Sequence, residues 1–507
     1  MCKYGAVTSC FSRAALAKRT SGSDFASHAS FTSRAGLFLA ATATATVLVL
    51  AGCSSSSSSN VTSTNDNVQF TECTPEVCDT TVDGYPVKIE MPAVWNGTLM
   101  IFTQDYRGAE PIPPAKSVPE ATPAVAPKGS QEGLIAEAMK KAGYAVAGAA
   151  VPNTGWQINE QVKAAQSVRD QFVGHIAQPN RIFTWGEGTG ALASVQIGQT
   201  SDWANGSVGY CGLLAGFNKN YDLALDAAFA VKTLLAPDMK LTNYKNAAEA
   251  QDNYDLAMKA VKKAAKDKYG DGAMKLWAIA SATVLPTATK ISSGSSVSSA
   301  PEGIASNLRI VLARSTIDRY HLEQQFGGNP SSNVGTNYMA RPTTKQVEKA
   351  QEVKKGALAK YVGKIQDAQR VSPDKEPRAQ AAANGELSGK MKVPTVTLHT
   401  EFDPLAIVQN EGDLVAKTVE EGSDSRSLLS PNVISPPMFY TKDEPAPYGV
   451  GHCNFTDASI VGAVKVVNEW VRDNKFPTKA SIEEALGEES GFSPNFPLYT
   501  WPGGAKD

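Results

Sequence analysis

"TWGEGTG", residues 184–190, decides how this chain is read, because it joins an apolar run to a helix-like one through three glycines. The run that precedes it, "RIFT", has the length and composition of a buried strand. The residues that follow have the apolar spacing of a helix. A junction of this kind lies at the C-terminal end of a strand, where open α/β sheets carry their sites. Gly188 stands at its centre, bringing backbone freedom and no reactive group.

Working outward, further short apolar runs read as buried strands: "TLMIFT" (98–103), "YAVAGAAV" (144–151), "SVGYCGLLAG" (207–216) and "VPTVTLHT" (393–400). Between them "QEGLIAEAMKKAG" and "INEQVKAAQSVRDQFVGHI" repeat apolar residues three and four apart, the helical period. Alternating strands and helices imply α/β architecture: a mostly parallel, doubly wound sheet covered on both faces. "PIPPAKSVPEATPAVAPKG" (111–129) reads as a proline-rich surface loop. Residues 217–390 break the alternation with long helical segments rich in Ala and Lys, so they are expected to form a helical cap inserted into the sheet. The segments expected on either side are 83–216 and 391–480 for the two halves of the core, and 481–507 for a C-terminal tail.

The chain has 507 residues, 42% hydrophobic and 19% charged, which is a globular composition. Five of the 48 basic residues and one of the 50 acidic ones fall in 1–52, leaving 43 against 49 and a net charge of −6 downstream. A mildly acidic body with no polybasic block excludes nucleic acid as the expected partner. Residues 1–52 read as a targeting segment: basic positions precede "GLFLAATATATVLVLAGC", which ends in the small-residue pattern Leu50-Ala51-Gly52-Cys53 of a bacterial lipobox. Cleavage there would leave Cys53 to carry a lipid. An uncleaved membrane helix is the plainer alternative, but it needs no such site. The leader is long for a signal of this type, which points to a start downstream of Met1. Residues 53–82 hold a serine-rich tether and the pair Cys73 and Cys78. The expected location is therefore the cell envelope, membrane-anchored and outside the cytoplasm.

Outside the cytoplasm cysteines pair. Cys73, Cys78, Cys211 and Cys453 allow three connectivities, and the close spacing of "CTPEVC" favours Cys73 with Cys78 and Cys211 with Cys453. No Cys/His cluster has zinc spacing, and neither metal nor cofactor is expected.

Four stretches fall at strand ends: "FTQDYRG" (102–108), "WGEGTG" (185–190), "HTEFDP" (399–404) and "GVGHCNF" (449–455), the last following "SPPMFYT". With "WNGTL" (95–99) and Cys211-Gly212, this ordered set resembles the α/β-hydrolase superfamily over residues 83–480, in particular a branch of secreted bacterial esterase- or peptidase-like members. The resemblance implies an α/β-hydrolase fold with Asp403 as the triad acid and His452 as the general base, in the order nucleophile, acid, base. It also places Gly188 where the branch has its nucleophilic serine. Gln104-Asp105 stand where the branch has His-Gly in the oxyanion loop, and Thr189 supplies the oxyanion N–H. The plain alternative for Asp403 is a turn cap before Pro404.

Two functional readings follow. In the first, the protein is a degenerate, non-catalytic hydrolase with a binding or structural role, its partner a small ester- or peptide-like ligand in the old cleft. Asp105, if it points inward, opposes the charge an oxyanion develops. In the second, it is an active hydrolase that uses Asp403 and His452 with a relocated nucleophile, the nearby residues being Thr103, Asp105, Thr184, Glu187 and Ser194. Trp156 reads as pocket lining or core, and "GGNPSSNVGTNY" (327–338) as a loop near the pocket mouth or a simple turn.

Overall fold

A computed structural model describes residues 74, 76–127, 132–288, 300–435 and 449–502. The expected signal segment, Cys53, Cys73 and all but the first residue of "SPPMFYT" lie outside these.

Eight strands form one sheet: β1 (Val77–Val82), β2 (Tyr85–Glu90), β3 (Thr98–Thr103), β4 (Ala145–Ala149), β5 (Arg181–Glu187), β6 (Gly206–Tyr210), β7 (Thr395–Thr400) and β8 (Leu429–Ile434). Their order is β1-β2-β4-β3-β5-β6-β7-β8. β2 pairs antiparallel with both β1 and β4, and every pairing from β4 to β8 is parallel. The register sets Thr103 opposite Gly186, and Glu187 opposite Tyr210, so the ends of β3, β5 and β6 are level.

The central strands read as continuous apolar runs because both of their faces are covered. On β3, Met100 and Phe102 join a core with α1 (Glu132–Lys141), while Leu99 and Ile101 pack with α2 (Ile158–His175). The helix after the glycine turn is α3 (Thr189–Thr200).

Between β6 and β7 the described residues contain helices and no strand. They are α4 (Gly216–Leu234), α5 (Ala247–Lys266), α6 (Asp271–Thr283), α7 (Pro301–Ser315), α8 (Ile317–Phe326), α9 (Thr344–Val353), α10 (Ala357–Asp367) and α11 (Lys375–Ala383). They share a core of their own, with Leu225, Trp277, Leu312 and Tyr361 among its buried members. The rest of the sheet is completed by α12 (Gln409–Glu420), α13 (Ser423–Ser427), α14 (Asp457–Asp473) and α15 (Lys479–Leu486).

Two ends differ from the reading of the sequence. The segment to residue 82 is more than a tether, since Val77–Val82 is an edge strand on which Cys78 is buried and disulfide-bonded. Residues 481–507 are more than a tail. Thr478 caps α15, which buries Ile482 and Leu486, and Gly462 of α14 lets Ala485 O approach to 2.1 Å from where a Cβ would stand. Apolar side chains four apart after a threonine cap are a helix signal.

Candidate active site

Gly188 is the N-cap of α3 and has φ +57° and ψ −117°, a conformation that any residue with a Cβ enters only under strain. The turn is tight around it. A Cβ on Gly190 would stand 2.0 Å from Thr103 O, so the helix can start this close to β3 only with glycine there.

Asp403 follows β7 and is fully buried. Its two oxygens have separate partners. Oδ1 accepts the Leu405 and Ala406 N–H groups at 2.8 and 2.9 Å, and Oδ2 lies 2.8 Å from His452 Nδ1. It is therefore a turn cap and the histidine's partner at once. Backbone bonds between Phe402 and the 449–451 segment clip the histidine loop beside the acid loop. Cys453 is bonded to Cys211, which directly follows β6, with Cα atoms 5.3 Å apart. The two sulfurs and His452 lie within 4.8 Å, but a disulfide offers a metal no thiolate.

A sharp strand–glycine–helix turn after β5, an acid after β7 and a histidine after β8 stand on a sheet ordered 1-2-4-3-5-6-7-8. This is the α/β-hydrolase fold.

No family model matches the chain, and no curated protein does. Solved structures do resemble it. The chain aligns over 79% of its length with 40% of puromycin hydrolase (TM-score 0.33, 9% identity), and so spans less than half of that protein. It aligns over 78% with 87% of a membrane phospholipase A (TM-score 0.33, 10% identity). A further match is feruloyl esterase B from Aspergillus oryzae, with coverage of 78% and 80%, TM-score 0.34 and 10% identity.

Asp105 completes this site. A Cβ built on Gly188 would fall 1.8 Å from Asp105 Oδ1 and 2.3 Å from its Cγ, so this carboxylate fills the space that a side chain at position 188 would need. Oδ1 accepts the Thr189 N–H at 2.9 Å, and Oδ2 lies 3.6 Å from His452 Nε2. Asp105, His452 and Asp403 thus form a continuous ion-paired triad. Burial opposes the charge on His452, but Asp403 and Asp105 outweigh it and push the imidazole up to about 10. Burial likewise opposes the charge of Asp105, yet His452, Arg314 and the Thr189 N–H hold it below the usual carboxylate range. These contacts favour the imidazolium form of His452 and the carboxylate form of Asp105.

Gln104 turns its amide to Thr122 O and Ala149 O at 3.0 and 3.2 Å, so its side chain ties the loop to the end of β4 and not to Thr189. The hydroxyls near the turn are spent. Thr103 donates to Trp185 O and Gly190 O, and Ser194 sits in a buried network with Thr184 and Ser207. Trp156 is fully buried, edge-on to Phe217 and Tyr221, and belongs to the core. The 327–338 loop is held inside the cap by Arg319 on Asn329 and by Tyr338 on Asp226.

Under the cap lies a small, partly open cleft of about 30 Å3 lined by Leu213, Tyr221, Leu285, Val311, Arg314 and Leu405 among others. It borders the triad, since Leu213 N–H donates to Gly188 O, and Pro404, also lining it, adjoins Asp403. Among the described residues Arg314 is its only charged lining residue, and it lies 3.9 Å above the Tyr106 ring. It pairs with Asp318 at 3.5 Å, whose carboxyl burial pushes up to about 6 although Arg314 opposes this. These cap residues are not apparent in the sequence as site residues. The one signal is an oppositely charged pair four apart, Arg314 at the end of α7 and Asp318 at the start of α8.

Proposed function

We propose that this is an envelope lipoprotein, anchored through Cys53 outside the cytoplasm, that has abandoned serine-type acyl transfer and holds a small, mostly apolar ligand in the cleft beneath its cap. As an esterase or peptidase it is degenerate. One observation supports the reading: the Asp105 carboxylate lies where a side chain at position 188 would begin and engages the Thr189 N–H. A tetrahedral oxyanion would meet a carboxylate where donors should be, and losing even one donor costs about 100- to 1,000-fold in rate. The mixed apolar lining with one guanidinium is the usual character of a small-molecule site.

A fluorescent fluorophosphonate tests the first half, since it labels only an activated hydroxyl. The native protein should stay unlabelled beside an active serine esterase. Labelling that His452→Ala abolishes would overturn the reading. For the anchor, Cys53→Ala should release the protein from membranes and abolish incorporation of labelled fatty acid.

A further inference from the structure

We propose that the outer face of α5 docks the cap on a bilayer surface rich in anionic phospholipid. The inference goes beyond the cleft and takes only its setting, a membrane within reach, from the envelope reading. The net charge of −6 downstream of residue 52 conceals a division. Residues 217–390 hold 25 basic and 17 acidic side chains, a net of +8, whereas 53–216 and 391–507 together hold 18 and 32, a net of −14. An anionic surface attracts the first part and repels the second, which orients the molecule above it. An anchor at Cys53 alone sets no such orientation, because the 24 residues from there to Val77 can reach up to about 80 Å.

The face itself is local. Lys259, Lys262, Lys263 and Lys266 are exposed and stand three and four apart, on one side of the last turns of α5. Among the described residues none of the four has an ion pair, whereas Lys268, just past the helix, is held by Glu302 at 2.9 Å. Helix stability does not call for all four, since the helix dipole acts within the last turn, on Lys263 and Lys266. The exposed carboxylates of this face, Asp252 and Asp255, lie toward its N-terminal half, and Asp267 beyond its end is engaged by the Gly272 N–H at 2.9 Å. The four lysines span about 10 Å of helix axis, about one Debye length at 0.1 M salt, so a charged surface meets them as a single multivalent cation.

Apolar groups flank the cluster and choose between a bilayer and a dissolved polyanion. Leu256, three residues before Lys259, is 39% exposed, and Tyr269, three residues after Lys266, is 82% exposed. A nearly bare tyrosine suits the headgroup zone of a bilayer, where its ring and its hydroxyl both find partners. The lysine stems can lie along the same zone while their ammonium groups reach the phosphates. A dissolved polyanion would satisfy the lysines and leave Leu256 and Tyr269 in water.

The test uses residues 53–507, which include every described residue, with Cys53→Ser so that no lipid contributes. This chain should sediment with vesicles of mixed phosphatidylglycerol and phosphatidylcholine at about 0.05 M salt and be released at about 0.5 M, and should ignore phosphatidylcholine alone. Lys259→Gln, Lys262→Gln, Lys263→Gln and Lys266→Gln together should weaken binding by about 100-fold or more, with thermal unfolding showing that the fold persists. The same loss of charge at Lys354, Lys355, Lys360 and Lys364, all exposed on or beside α10, should weaken it far less. Equal losses would mean that overall charge and not this face binds, and would overturn the proposal. Tyr269→Ala should weaken vesicle binding several-fold and leave heparin binding unchanged. An effect on neither, or on both alike, would assign the face to a dissolved polyanion and also overturn it. If Cys53 of the native protein carries lipid but residues 53–507 ignore the anionic vesicles, this proposal fails and the anchor stands. If they dock while Cys53 carries no lipid, the docking face stands and the anchor fails.

Discussion

Asp105 and Gly188 share one space: the carboxylate of the first lies where the side chain of the second would begin, 1.8 Å from a Cβ built there. Each residue therefore makes the other tolerable. The glycine admits the carboxylate, and the carboxylate engages an N–H that the turn would otherwise present to the cleft.

Gly188→Ser alone should accordingly fail as a repair. The new Cβ must expel Asp105 and must itself adopt φ +57°, so a stability loss of about 1–3 kcal/mol is expected. Hydrolysis of p-nitrophenyl acetate should stay at background. Thermal unfolding and a spectrophotometric assay check both statements, and a fully stable, active single variant would refute the shared-space argument.

Gly188→Ser combined with Asp105→Gly should behave differently. It removes the clash and the like charge and frees the Thr189 N–H, while Asp403 and His452 keep their 2.8 Å contact. Ester hydrolysis should exceed that of the single variant by about 100-fold or more. Gln104→His should add little beyond this, because Gln104 is engaged with Thr122 and Ala149. Equal rates for single and double variants would show that Asp105 is not the obstacle.

The central strands and the acid and base are legible in the sequence for a common reason: they lie where the chain has no freedom. A strand covered on both faces must be apolar throughout, as β3 is, and Asp403 follows closely on β7 while His452 lies between β8 and α14 with a recognisable Gly451-His452-Cys453 context. β1, β2 and β8 are not legible. "VCDTTV", at the sheet's edge, has three polar residues in a row, "YPVKIE" beside it alternates apolar and charged residues, and "LSPNVI" at the other edge carries a proline. Nor does the sequence show which way Asp105 points, because that depends on the empty space at Gly188, 83 positions away. Arg314 and Asp318 are hidden likewise, since only the packing of the cap brings them over Tyr106.

Protonation of His452 sets a pH signature. Its folded value of about 10 lies above the ordinary 6.5, so its contribution to stability is complete below about 6.5 and is lost as pH rises through about 10. Asp105 is shifted the other way, so its contribution is present above the ordinary carboxylate value of 3.8 and is lost as pH falls through its lower folded value. Melting curves from pH 6.5 to 10 should decline in the native protein and flatten in His452→Gln. Parallel declines would mean that the imidazole is not held charged between Asp105 and Asp403.

The Cys211–Cys453 bond closes a loop of 242 residues and holds the residue next to His452. Loop-closure entropy puts its contribution at up to about 5 kcal/mol. The double change Cys211→Ser, Cys453→Ser should therefore lower the melting temperature. It should also bring the imidazole of His452, followed by NMR, down from about 10 toward 6.5 as its contacts with the two carboxylates loosen. An unchanged titration would show that the 449–451 backbone bonds suffice to hold the loop.

A fully buried pair behind the acid governs the last expectation. His399 places Nε2 2.6 Å from Ala406 O and Nδ1 3.3 Å from Glu411, and Thr397 donates to the other oxygen of Glu411. Ala406 N–H in turn donates to Asp403 Oδ1, so the chain Glu411, His399, Ala406, Asp403 ends on His452. Despite burial, Glu411 and Asp403 raise the pKa of His399, which keeps it a donor to Ala406. Removing one partner of a buried pair costs about 3–5 kcal/mol, so Glu411→Ala should be strongly destabilising. Glu411→Gln retains an oxygen for the Thr397 hydroxyl and should cost less. If the chain also orients Asp403, the NMR titration of His452 should fall in Glu411→Gln although residue 411 does not touch it. A stability loss with an unmoved His452 titration would confine this pair to packing.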